Sequence, residues 1–197
     1  MPGTYKATVA KRVDGVVTQL GPPQQFQVVV EGQENMSASD QTALVEFQTK
    51  AMRLQRAATG ATQAANQLKP RLAAIKRAIA ETPSLPQRLQ DDATALDRRI
   101  NEILRALSGD AVARQRNINT PPSINDRIGY VVGAQRMSIS RPTQTQIAQY
   151  NAAAQDFESV LGQLRQLIEV DLDKLEKQLE AAGAPWTPGR VPEWKNQ

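Results

Sequence analysis

Residues 44–79 read LVEFQTKAMRLQRAATGATQAANQLKPRLAAIKRAI. Within this stretch Leu44, Phe47, Ala51, Leu54, Ala58, Ala61, Ala65, Leu68, Leu72, Ile75 and Ile79 recur at spacings of 3 and 4 in strict alternation. A period of 3.5 held over this length is the seam of a coiled-coil-like helix, and none of its positions is polar. Pro70 falls inside the run but off the seam. Because the register continues past it, the sequence predicts one kinked helix rather than two. The middle of the seam is alanine, which lets a neighbouring backbone approach closely but buries little area, so Ala58 to Ala65 should pack tightest and stabilise least per position. The same alanines could serve a self-associating helical module.

Working towards the C-terminus, Ser84 is expected to N-cap a second helix, with Pro86 in its first turn and Gln87 closing a capping box. The apolar face of that helix is Leu85, Leu89, Ala93, Leu96, Ile100, Ile103 and Leu107, and Gly109 is placed to end it in a left-handed conformation. Residues 110–122 are polar and finish in Thr120-Pro121-Pro122, which predicts a loop long enough to cross over along a bundle. Ser123 with Asp126 caps a short third helix carrying Ile124, Ile128 and Val131 or Val132, and Arg141-Pro142 ends it. Thr143 and Gln146 form a capping box for the last helix, whose face is Ile147, Tyr150, Ala154, Phe157, Leu161, Leu164, Ile168, Leu172, Leu175 and Leu179. Two consecutive spacings of 4 at Leu164, Ile168 and Leu172 should locally relax a left-handed supercoil. Gly183 and Pro185 are a stop signal. The expectation is a mainly α chain: an antiparallel four-helix bundle over 38–183, with helices near 38–82, 84–108, 123–139 and 143–182. The tail, 184–197, holds three prolines and two tryptophans and is expected to fold back on the bundle with Trp186 capping its hydrophobic end.

Working towards the N-terminus, the period changes to 2. Tyr5, Ala7 and Val9 alternate with Lys6 and Thr8, Asp14-Gly15 suits a type I′ turn, and Phe26, Val28 and Val30 alternate with Gln25, Gln27 and Val29. This is too little sheet to stand alone, so the hairpin of residues 1–33 should dock on the helices or be the remnant of a sandwich. Gly3-Thr4-Tyr5 before an alternating strand is similar to the penultimate strand of immunoglobulin-like and fibronectin-like modules, which implies a partial Ig-like module.

The 197 residues include no Cys and no His, with 24 Lys plus Arg against 20 Asp plus Glu. Disulfides, thiol nucleophiles, thiolate zinc sites and imidazole chemistry are thereby excluded, and a hydrolase would have to run on carboxylates, Lys, Ser or Tyr. Aromatic residues make up only 4%, which suits long helices better than a β-sandwich core. Nucleic acid is not an expected partner of a chain at net charge +4 whose cations alternate with acids and are not interleaved with aromatics. Lys50, Arg53, Arg56, Lys69, Arg71, Lys76 and Arg77 make the first helix basic, while Asp156, Glu158, Glu169, Asp171, Asp173, Glu176 and Glu180 make the last one acidic. The simplest reading is two helices that complement each other. No apolar run is long enough to span a membrane, and Met1 to Tyr5 have neither the basic nor the apolar region of a signal peptide, so any export signal is expected upstream.

The search for paired carboxylates gives Asp91-Asp92, Glu169 with Asp171 and Asp173, and Glu176 with Glu180, each interspersed with Lys or Arg on a helix whose apolar face is already assigned. They are expected to be solvated, whereas acid–base work needs a desolvated carboxyl. A di-iron bundle needs Glu-x-x-His on facing helices and is excluded. The phosphate-cradling Gly motifs and the Gly-x-Ser-x-Gly elbow are absent. Gly129, Tyr130 and Gly133 are expected as close-packing positions. No catalytic, cofactor-binding or metal-binding residue is assigned, and no cofactor is expected.

The run Thr120-Pro121-Pro122-Ser123-Ile124-Asn125-Asp126-Arg127-Ile128-Gly129-Tyr130, with Ser140-Arg141-Pro142-Thr143 and the ending from Leu179 through Ala184-Pro185-Trp186-Thr187-Pro188-Gly189-Arg190, resembles the C-terminal region of large secreted bacterial proteins with sortilin-like or neuraminidase-type (BNR) repeat β-propellers, often labelled glycosyl hydrolases. The resemblance covers nearly the whole chain. It implies a propeller followed by a short β-module ending in a Gly-Thr-Tyr strand and then a helical segment. It also implies a periplasmic or extracellular location and a non-catalytic accessory role, structural or protein-interacting, with the upstream β-propeller or another protein surface as partner. No catalytic residue of the family transfers, because the propeller lies outside these residues. A substrate-shaping part of a glycosyl hydrolase or peptidase-like hydrolase is the alternative.

Overall fold

The computed structural model describes residues 3–29, 36–191 and 194. Val30 of the expected strand, residues 1, 2 and 31–33 of the expected hairpin segment, and residues 192, 193 and 195–197 of the tail lie outside the described residues. The chain is mainly helical with a small N-terminal β-hairpin. Strand β1 (Gly3–Ala7) pairs antiparallel with β4 (Gln24–Val28), placing Tyr5 opposite Phe26, and β2 (Ala10–Val13) pairs with β3 (Val16–Gln19) inside them. Asp14 and Gly15 both take positive φ, 49° and 84°, as the I′ turn between β2 and β3 requires.

Helix α1 spans Ala38–Ala80 and runs through Pro70 without interruption. The Ser37 hydroxyl caps it by accepting the Asp40 N–H at 3.1 Å. All of its seam residues are buried except Leu54, which is half-buried. Helix α2 (Gln87–Ser108) starts later than expected, after Pro86, with no side-chain cap. The residue before a proline is pushed out of the α region, so Leu85 cannot be helical and Ser84 sits in the preceding turn instead of capping. Gly109 ends α2 at φ 81° but ψ 172°, an extended exit and not the left-handed well.

The long segments do not stand four abreast. Lys76 Nζ lies 3.0 Å from Asp97 Oδ2, and Asn125 Nδ2 donates both to Thr62 Oγ1 (3.2 Å) and to Ser108 Oγ (3.3 Å). Helix α2 therefore runs antiparallel to the C-terminal half of α1. Helix α4 (Ile124–Arg136) takes over where α2 stops and continues in the same direction, with Gln135 reaching the level of Ala51 and Met52. The last helix returns parallel to α1: Tyr150 packs edge-on to Phe47 (ring centroids 5.6 Å apart) and Glu176 meets Arg71. Three legs thus run side by side, and the middle leg is α2 and α4 end to end.

The segment between them is not a crossover, since its two ends are joined by the Ser108–Asn125 contact. It contains a short helix that the loop expectation missed, α3 (Ala111–Gln115), capped by the Asp110 carboxylate, which accepts the Val112 and Ala113 N–H groups. Asn117 at φ 53° closes α3, with Ile118 N–H donating to Ala113 C=O and Asn117 N–H to Arg114 C=O.

The last helix consists of α5 (Gln144–Arg165), a π-helical segment (Gln166–Leu172) and α6 (Asp173–Ala181). The Thr143–Gln146 capping box forms as the sequence predicts. The irregular spacing is resolved by the π turn: Leu164, Leu167, Leu172, Leu175 and Leu179 are buried, spaced 3, 5, 3 and 4, and the step of 5 is one π turn. Ala153, Val160 and Leu167 therefore take the core positions assigned to Ala154, Leu161 and Ile168, which are half-buried. Gly183 at φ 67° closes α6: its N–H donates to Glu180 C=O and that of Ala184 to Leu179 C=O. This assignment makes Leu167→Ala cost about 2–5 kcal/mol in urea unfolding, and Ile168→Ala about 1 kcal/mol. The reverse order would restore the seam through Ile168 that the spacing predicts.

Candidate functional site

Every residue from 3 to 29 is exposed. In the β1–β4 ladder one face carries Tyr5, Ala7, Phe26 and Val28, and the other Thr4, Lys6, Gln25 and Gln27, as the alternation dictates. Tyr5 and Phe26 stack across the strands, with ring centroids 6.0 Å apart. A two-stranded sheet is marginal by itself, yet the apolar side of this one is not covered by the helices: Tyr5 and Phe26 are 41% and 48% exposed. Of the two placements open to the hairpin, docking on the helices is therefore not the one adopted.

The acids of the last helix are not uniformly solvated. Glu176 is buried and accepts two hydrogen bonds from Arg71, Nε to Oε1 at 2.8 Å and Nη2 to Oε2 at 2.6 Å. Asp171, on the π segment, accepts from Arg99 Nη1 at 2.5 Å and from Gln166 Nε2 at 3.2 Å. Glu180 pairs with Arg190. Asp173 pairs with Lys177 at 2.8 Å on the exposed face, and Asp91 accepts from Gln87 Nε2. The complementarity expected between the first and last helices is realised where Arg71 meets Glu176, while Lys76 instead meets α2 through Asp97. Among the described residues no cluster of three or more acids could hold a metal ion. No helix of the described residues is long and apolar enough to cross a membrane.

The tail returns to the helices differently from its expected form. Thr187 and Arg190 are buried, whereas Trp186 is 59% exposed and donates its indole N–H to Arg190 C=O at 2.7 Å. A 590 Å³ cleft runs between α6 and this tail, lined by Glu176, Glu180, Gly189 and Arg190. Pro-Gly-Arg after a helix stop was the available signal for that arrangement, but the tryptophans drew the expectation to themselves. Gly129 and Gly133 meet nothing where a Cβ would stand and Tyr130 is 52% exposed, so these three face solvent and are not close-packing positions. The seam alanines are covered within the chain: Ala58, Ala61 and Ala65 are at most 6% exposed.

At the start of α4 the Ser123 hydroxyl, then the Ser123 backbone N–H, donates to the Asp126 carboxylate and holds its pKa below the usual carboxylate value. A depressed folded-state pKa contributes stability that is fully present above the ordinary value of about 3.9 and is lost as pH falls through the lower folded value. The stability gap between the natural chain and Asp126→Asn should therefore narrow between about pH 5 and about pH 2 in urea titrations. Glu176→Ala should cost about 2–3 kcal/mol, because the half-buried Arg71 loses its bidentate partner. Glu158→Ala, on the exposed face, should cost about 0.5 kcal/mol or less; equal losses would place Glu176 in solvent. No protein-family model, curated protein or solved structure matches this chain.

Proposed function

We propose that the chain is a non-catalytic accessory module, structural or protein-interacting, that its β hairpin joins to the β-rich part of an exported sortilin-like propeller protein. The observation that carries this reading is the hairpin itself, an amphipathic two-stranded sheet whose Tyr5–Phe26 side is not covered by the helices and stays partly exposed. Exposed apolar area of this kind marks a contact surface more often than a tolerated defect. The resemblance of the 120–130 run and of the 179–190 ending to such proteins supports the identity of the partner and a periplasmic or extracellular location. Further support for a non-catalytic role comes from the acids nearest the core: Glu176 and Asp171 are each engaged by an arginine that fixes helix against helix, a stabilising task.

The test mixes the chain with a sortilin-like propeller protein expressed without its own helical C-terminal segment and follows binding by titration calorimetry. Binding is expected for the natural chain and is expected to fall at least tenfold for Tyr5→Lys with Phe26→Lys, which leave the helices untouched. Glycosidase and peptidase assays on the chain alone are expected to give no turnover. Turnover that disappears in Asp171→Asn would replace the accessory reading with the hydrolase one.

A further inference from the structure

The segment that follows α6 is bonded mainly to itself. Arg190 N–H donates to Thr187 C=O at 3.1 Å, Arg190 Nη1 to Pro185 C=O at 3.0 Å, and Trp186 Nε1 to Arg190 C=O at 2.7 Å. Beyond Ala184, which is buried in the core and whose N–H bonds Leu179 C=O, two contacts tie this turn to the helices. Arg190 Nη2 pairs with Glu180, and the Gly189 backbone lies on the Arg71 guanidinium so closely that a Cβ at Gly189 would stand 2.5 Å from Nε and 2.6 Å from Cζ. Arg71 is also the partner of Glu176, so the turn roofs that ion pair.

The attachment of this turn differs in kind from that of the helix before it. Leu172, Leu175 and Leu179 anchor the last helix by apolar burial, each at most 2% exposed. The large apolar groups of the C-terminal segment point outward instead, with Trp186, Val191 and Trp194 all more than half exposed, and charged groups do the holding. The closed turn also carries a standing cost: among the described residues, Thr187 Oγ1 and Arg190 Nε are buried without a hydrogen-bond partner, and both would be hydrated if the turn lifted.

We propose that residues 185–190 form a strap that lifts and reseats as one unit about Ala184 while the helices stay folded. The Arg190–Glu180 pair is its bolt, the Gly189–Arg71 contact its seat, and lifting uncovers the Arg71–Glu176 pair beneath. Internal bonding makes it move as a unit, polar anchoring lets it move without opening the leucine core, and the two unpartnered buried groups bring the closed and open forms nearer in free energy.

Trypsin reads the strap directly in the full chain, because the Arg190 side chain is only 5% exposed when the strap is closed and must emerge before the Arg190–Val191 bond can be cut. Cleavage at this bond, timed by intact mass, is expected at urea concentrations well below the loss of helical circular dichroism and with a weaker urea dependence. Glu180→Gln and Gly189→Ala are each expected to speed it at least tenfold while the helical signal and its thermal midpoint stay unchanged. Cleavage in the natural chain that follows the same urea dependence as loss of helix would overturn the proposal, since the strap would then open only with the whole fold. Both variants cut at the natural rate would overturn it too, by showing that neither contact holds the strap.

Discussion

An apolar seam that runs the whole length of α1 has to be covered along its whole length. At 43 residues α1 extends roughly 65 Å, whereas α2 and α4 extend roughly 33 Å and 20 Å. Neither short helix can cover the seam, and laid end to end they nearly do. The third leg, continuous from Gln144 to Ala181 through its π turn, then closes the groove between α1 and the two short helices. The arrangement of the long helices follows from this one requirement. The alanines in the middle of α1 mark where α2 hands over to α4, close to Thr62, Ser108 and Asn125, and small side chains there allow both helix ends to approach.

Polar contacts fix how the legs slide past one another. Lys76 with Asp97 sets α2 on α1, Arg99 with Asp171 sets the last helix on α2, and Arg71 with Glu176 closes the triangle. Apolar packing alone specifies register weakly, because a leucine can sit one turn along in a similar environment, while a bidentate guanidinium–carboxylate pair cannot. From Phe47 to Arg71 is 24 residues, and from Tyr150 to Glu176 is 26, so the parallel last leg needs more residues for the same span. The π turn absorbs part of that surplus and brings Asp171 round to Arg99. The buried amides of Gln135 and Gln146, bonded at 2.7 Å, play a comparable part between α4 and α5.

The long helices, their apolar faces on α1 and α2, and the caps at Ser123 and Thr143 were legible in the sequence because each rests on local spacing and local hydrogen bonds. The arrangement was not. The fifteen residues between α2 and α4, most of them polar or proline, suit a crossover as well as an excursion that returns to its starting point, and only the meeting of Ser108 with Asn125 distinguishes them. The doubled spacing of 4 at Ile168 flagged the right place, but period counting assumes the α pitch and so misassigned Ile168 and Leu167. The acids failed for a related reason. Glu176 looks like a surface residue in any one-helix projection, and its burial depends on Arg71, more than a hundred residues away. The Tyr5–Phe26 alternation of the hairpin was fully legible, but what it faces is not a property of the local sequence.

The excursion between α2 and α4 has an architectural consequence. Because its ends meet, this stretch hangs from the middle leg as a side branch, and the leg reads mechanically as one rod interrupted at a point. A closed loop of this kind can lengthen at low entropic cost, about 0.6 kcal/mol for each doubling. Neither α2 nor α4 would have to move to accommodate it. The fold therefore carries an internal graft point, where sequence can be gained or exchanged during divergence while the three legs keep their alignment.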